Sequence, residues 1–216
     1  MSKSGEVYDL IVNRLINAEY KFGDRLLVRE LGAETGASRQ PIMSSLNRLS
    51  AEGFVHIIPQ VGCEVIHPSL DEIEDFFRFF GLLEGLLSDL AARRRTDEDL
   101  RELKLAQQRL TIMLGSPDAS PQLYLAHNRA FHQQLHQMAH SPLLARKQRN
   151  NFNMSDFFIT QSVGFGVLMS EGEREHDRII RALETRNADR SRAEAEAHIS
   201  AIASTVLRKL KAKARA

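Results

Sequence analysis

The chain has 216 residues, 43% hydrophobic and 26% charged, with a net charge of +1. That length suggests one or two soluble globular domains, and so small a charge gives no global argument for nucleic acid. No apolar run approaches the ~18 residues of a membrane span, the N-terminus has no apolar signal-peptide core, and the single cysteine, Cys63, excludes an internal disulfide and fits a reducing cytoplasm.

Val7, Leu10, Ile11 and Leu15 recur at helical spacing and predict an amphipathic helix over 6–18. The stretch "KFGDRL" reads as a turn. Two short helices follow over 27–34 and 38–52, separated at Gly36, with Ser38 as the cap of the second and Gly53 as its end. The period then changes: "FVHIIP" and "CEVIHP" are β-rich runs joined by "PQVG", a small hairpin. Pro68 breaks the chain. Beyond it only helical patterns occur, at roughly 70–95, 97–115, 121–138, 142–166, 172–186 and 189–212, with clear breaks at "LGSPDASPQ" and "TRNADRS". The expected fold is mostly α: an α+β domain over 1–68, then an all-helical bundle over 69–216.

Three helices and a hairpin are the parts of a winged helix-turn-helix. On the 38–52 helix, Ile42, Leu46 and Leu49 share one face, and Gln40, Ser44 and Asn47 lie roughly opposite. Met43 and Arg48 flank them, Arg39 stands at the N-terminal tip, and Pro41 is tolerated in the first turn. Such a helix can lay its polar side and positive end in a major groove, where amides and guanidinium groups read base edges. Residues 1–70 carry seven Lys and Arg against eight acids, yet Thr35 to Ala51 contain no acid at all. Affinity for DNA would therefore lean on dimerisation.

The stretch "VYDLIVNRLINAEYKFGDRLLVRELGAETGASRQPIMSSLNRLSAEGFV", continued through "HIIPQVGCEVIHPS", resembles the DNA-binding domain of GntR-type bacterial transcription factors. Residues 70–210 are similar to the FCD ligand-binding domain of the FadR branch. The resemblance implies a winged helix-turn-helix followed by a helical effector domain. It places Arg29, Arg39 and Gln40 at DNA-contact positions and Gly62 in the wing tip near the minor groove, and Ser38, Ser44 and Asn47, on the polar side and tip of the same helix, join them as expected DNA-side residues. Where family members usually carry a guanine-reading arginine after "PI" or "PV", this chain has Met43, which implies a different operator.

The helical part holds a second constellation. "HNRAFHQQLHQMAH" sets Asn128 and His132 four apart on one helical face, "EREHDRII" supplies His176, and "AEAEAHIS" supplies His198. In one unbroken helix His176 and His198 would stand about 33 Å apart, so they meet only if the chain turns at "RNADRS". Three imidazoles and one oxygen donor would suit Zn²⁺, Ni²⁺ or Mn²⁺, although scattered histidines more often serve a surface or core. The FCD resemblance implies a metal site of one aspartate and three histidines at these places, with Asn128 where the aspartate usually stands. His127, His136 and His140 match no ligand and are expected to face solvent. The run "FFRFFGLL" reads as a core or dimer seam. The resemblance also puts Phe80 where an arginine is usual, which implies a less acidic or more apolar effector. Cys63 reads as a packing residue, and the basic end "LRKLKAKARA" as a solvated helix end.

The implied function is a homodimeric cytoplasmic regulator, most simply a repressor. It would bind a double-stranded DNA operator and respond to a small organic acid at or near a divalent metal. A metal-responsive regulator, in which the ion itself is the signal, is the alternative. A metal-dependent enzyme is a third reading, against which no paired Glu or Asp stands out as a general base.

Overall fold

The computed structural model describes residues 2–58, 62–213 and 215. The chain divides into two compact units, 1–69 with 156–161, and 70–155 with 162–216.

In the first unit, α1 spans Lys3–Ile16, three residues earlier than the sequence pattern alone indicates. Ser2 supplies the reason: its hydroxyl accepts from the Gly5 amide and caps the helix at that point. Helix α2 (Val28–Thr35) ends at Gly36, whose φ of 64° is the left-handed conformation a glycine adopts without strain. Helix α3 covers Arg39–Ala51 and buries Ile42, Ser45, Leu46 and Leu49. Ser38 takes the N-cap backbone position, but its side chain makes no capping bond. The sheet has three strands rather than the two of a hairpin: β1 (Arg25–Leu26), β2 (Val55–Ile58) and β3 (Gly62–Val65), in the order β1-β3-β2. Both pairings are antiparallel, with Leu26 and Ile57 opposite Cys63 on either side. The turn expected at "KFGDRL" thus ends in a short strand. Cys63 is buried in the sheet, which is the packing role expected of it. Within this unit Phe157 meets Phe22 and Phe54 edge-on.

The second unit holds α4 (Leu70–Arg94), α5 (Asp97–Leu114), α6 (Pro121–Met138), the residues of α7 (Pro142–Ser162) up to 155, α8 (Met169–Glu184) and α9 (Ala188–Lys213). α7 stops at Ser162, short of 166, and Gly164 (φ 71°) leads into a 3-10 turn at Phe165–Val167. Leu87, Leu103, Phe131, Leu135, Ile179 and Leu183 are central to its core. α4 lies close against α9 because the facing residues are small. A Cβ at Gly85 would stand 2.6 Å from the Glu196 side chain, and Ser88 and Ser191 pair through their hydroxyls at 2.7 Å. Arg95, nearly buried, donates to the carbonyls of Leu183 and Glu184, closing the C-terminal end of α8. This packing fixes α6, α8 and α9 around one interior point.

Candidate nucleic-acid interface and buried histidine centre

On α3 the apolar stripe faces inward, so the polar residues face out. Ser38, Arg39, Gln40, Ser44 and Asn47 are exposed, as is Arg29 on α2, while Met43 is half-buried. Among the described residues neither Arg29 nor Arg39 has an ion-pair partner, which leaves both charges available. Arg48 differs. Its guanidinium bonds Glu52 and lies over the Tyr8 ring, 3.5 Å from the centroid. Its charge is engaged within the unit. Gly62 opens β3 with φ of 142°, where a Cβ would press on the Leu26 carbonyl at 3.3 Å. The rest of the expected wing tip, residues 59–61, lies outside the described residues.

The second site is built from α6, α8 and α9. His132, His176 and His198 are all buried, and their ligand atoms lie within 4.8 Å of one another. Ring centroids stand 5.0 to 5.2 Å apart, and Phe131 stacks on His176 at 3.8 Å. Each Nδ1 is occupied: His132 faces Glu84 Oε1 at 2.8 Å, His176 faces Gln107 Oε1 at 3.1 Å, and His198 faces Glu175 Oε2 at 2.7 Å. The Gln107 contact fixes a tautomer. Its amide nitrogen donates to the Glu173 carbonyl, which can only accept, so its oxygen must accept from His176 Nδ1–H. An ionised carboxylate imposes the same assignment on His132.

Every Nε2 in the set is therefore a bare lone pair. All three are buried with no hydrogen-bond partner, and so is Asn128 Oδ1, one helical turn before His132 on α6. A buried polar atom without a partner costs about 1–3 kcal/mol, and four on three neighbouring helices need a common explanation. Donors of this kind, three neutral imidazole nitrogens and one amide oxygen, fit a divalent transition metal. The carboxylates and amide behind them are the outer contacts that orient metal-binding histidines.

Electrostatics keep His132 and His176 neutral. Burial pushes His132 down to about 4, against the pull of the Glu84 carboxylate. Burial, reinforced by His132 and His198, also holds His176 well below its ordinary range. For Glu84 burial alone would raise the pKa, but the His136 and His132 rings outweigh it and hold the carboxyl well below the usual range.

His136 does not face solvent as expected. It is buried, and its Nε2 donates to Glu84 Oε2 at 2.8 Å, beside the amide of Gln148 at 2.7 Å. Glu84, His132 and His136 form a second group of ligand-type residues. Its contacting atoms already satisfy one another, so it offers no free donor comparable to the Nε2 set. His140 is exposed and bonds Asp99, and His127 is half-buried. Phe80 is buried against Phe76 and Phe152, in the hydrophobic interior. Sequence reasoning missed Glu84, Gln107 and Glu175. A lone acid inside the apolar run "FFGLLEGLL" was the signal for Glu84.

Comparison with known proteins matches residues 3–65 to the bacterial regulatory proteins of the gntR family and residues 75–201 to the FCD domain. The HTH-type transcriptional regulator YdhC of Bacillus subtilis is 20% identical over 197 residues, covering 90% of this chain and 87% of that protein. The Nta operon transcriptional regulator of Aminobacter aminovorans is 28% identical over 89 residues, 41% of this chain and 42% of that one. Among solved structures, E. coli McbR/YncC superposes with a TM-score of 0.79 at 18% identity, over 97% of this chain and 99% of that one. A GntR transcriptional regulator from Rhodococcus sp. RHA1 gives 0.75 at 14% identity, over 96% and 98%. At these identities the structural likeness establishes the fold. No helix among the described residues is long and apolar enough to cross a membrane.

Proposed function

Because this chain belongs to the gntR family of bacterial regulatory proteins and carries an FCD domain, we propose that it is a homodimeric repressor, of the FadR branch, released from its operator by a small organic acid. It is a transcription regulator and not an enzyme. In this reading the reading heads are the two copies of α3, with Arg29, Ser38, Arg39, Gln40, Met43, Ser44, Asn47 and Gly62 toward DNA. The operator lies on bacterial DNA, which puts the protein in the cytoplasm.

The observation that carries the effector reading is the set of four buried, unpartnered donors on Asn128, His132, His176 and His198. These residues would hold a Zn, Ni or Mn ion. When bound, the ion supplies a Lewis-acidic point that a carboxylate can occupy. Glu84, Gln107 and Glu175 hold the rings in place with Nε2 turned inward. The acid then acts by differential affinity: it favours one packing of the helical domains and changes the spacing of the two heads. Dimerisation is supported by α4, where Phe79 and Leu82 are 55% and 57% exposed.

One observation favours a second reading, in which the ion itself is the signal. The cavity that reaches His132 and His136 has only about 20 Å³, close to the room of one water. Operator selection from a random duplex pool separates the two. Affinity for the selected duplex is then measured on chelator-treated protein, metal-loaded protein, and metal-loaded protein with a panel of organic acids. Release that needs an acid supports the first reading, and release by metal alone supports the second. Failure to select any duplex contradicts both.

A further inference from the structure

The seam between α6 and α7 is not filled as a helix seam ordinarily is. Gln133, His136 and Gln137 on α6, then His140 just past its end, form one stripe at helical spacing. Opposite them, Pro142, Ala145, Arg146 and Arg149 form another. Residues at such positions in consecutive helices are usually apolar and interdigitate. Here they are mostly polar, and an open groove of about 430 Å³ remains between them. No acid lines it. Among the described residues neither Arg146 nor Arg149 has an ion-pair or hydrogen-bond partner. His140 contributes less, since Asp99 already holds it at 3.0 Å.

Gln133, His136 and Arg149 also line a separate cavity of about 20 Å³, which His132 borders as well. His132 is 1% exposed and its Nε2 has no partner. The groove thus shares three wall residues with the small cavity beside His132. Its walls set the chemistry of an occupant. Free guanidinium groups recognise carboxylate or phosphate oxygens through paired N–H donors. The absence of acids leaves the guanidinium charges unopposed within the groove.

We propose that the groove between α6 and α7 is a binding site for a small organic anion with at least two charged groups, a polycarboxylate or a phosphorylated acid, held by Arg146 and Arg149. This rests on the reading of the helical unit as the effector domain, and not on a bound metal. It also moves the source of acid recognition away from Phe80. The position that the resemblance assigns to an arginine is apolar, and the charge is supplied from α7 instead. His136 connects the groove to the interior, since its other contact is the Glu84 carboxylate that orients His132.

The test uses the full chain after chelator treatment, titrated calorimetrically at low salt with citrate, inorganic phosphate and acetate. Citrate is expected to bind more tightly than acetate. Arg146→Ala combined with Arg149→Ala should weaken citrate by roughly tenfold or more, the loss of at least one charge-assisted hydrogen bond. The paired lysine substitutions should recover part of that loss, which a merely unfolded variant would not show. Because the protein is chelator-treated, a metal at the histidine centre contributes nothing to the result. Preference for phosphate over citrate would select the phosphorylated acid as the source. Equal citrate affinity in the parent and the double alanine variant, or no binding of any of the three anions at millimolar concentration, would overturn the proposal.

Discussion

Glu84 and His132 are both all but excluded from solvent, and the Glu84 carboxylate stands 2.8 Å from His132 Nδ1. The same carboxylate accepts from His136 and Gln148 through its other oxygen. One ionised group therefore ties α4 to α6 and α7 and turns His132 Nε2 toward His176 and His198. Glu84→Gln removes the charge and sets an amide nitrogen against at least one donor. Urea unfolding is expected to show a loss of about 1–3 kcal/mol. Where metal binds, affinity should fall by about 10–100-fold, as for other outer-contact substitutions. A variant as stable as the parent would show that the carboxylate carries no structural role.

The buried histidines make an acid-sensitive core in the metal-free chain. His132 is pushed down to about 4 in the folded state, against about 6.5 in the unfolded chain. Between those values the unfolded state binds more protons, so stability falls as pH drops through that window. His176, also lowered, acts in the same direction. Glu84, held low in the fold, extends the loss below the ordinary carboxylate range. Thermal unfolding after chelation should show Tm falling steadily from near neutrality to about pH 4. A Tm that is flat over that range contradicts the burial of neutral imidazoles.

The exposed face of α3 predicts the effect of two substitutions on DNA. Arg39→Ala should weaken binding to the selected operator by about 1–3 kcal/mol. Met43→Arg should shift base preference toward guanine at one position of each half-site, because an arginine fork matches its major-groove edge. Unchanged affinity at matched salt in the first case, or unchanged preference in the second, would count against α3 as the reading helix.

Phe79 and Leu82 stand exposed on α4, whereas Ile73, Phe77, Phe80 and Leu87 on the same helix are buried. If they form the dimer seam, Leu82→Glu should convert the protein to monomer at micromolar concentration, read by sedimentation velocity. A parent that sediments as a monomer, or a variant that remains dimeric, excludes this face.

The sequence made α3 plain because Ile42, Leu46 and Leu49 repeat at helical spacing, and these residues are buried. It hid β1, because two residues leave no period to read and Arg25–Leu26 forms a strand only by pairing with Glu64 and Cys63. Gly164 was a visible stop within "QSVGFGV", but an apolar run on both sides masked it. The three histidines were named through resemblance, since their spacing alone is equally that of surface or core residues. Their partners were beyond local reading. Glu84 lies 48 residues from His132 and Gln107 lies 69 from His176, separations that only tertiary packing closes. His136 was misjudged for the same reason: nothing near it in sequence announces the Glu84 carboxylate that accepts its proton.

The most direct test of the account is metal content. The parent and the variants His132→Ala, Asn128→Ala and Asn128→Asp are loaded with Zn²⁺, Ni²⁺ or Mn²⁺, dialysed against a weak chelator and assayed by mass spectrometry. The parent should retain about one ion per chain, held by three imidazoles and one oxygen donor. His132→Ala should lose most of it, Asn128→Ala should lose less, and Asn128→Asp should hold it more tightly by adding a carboxylate charge. A parent that retains no ion under any loading, or a His132→Ala variant that retains as much as the parent, would contradict the metal centre and leave the four unpartnered donors to another cause.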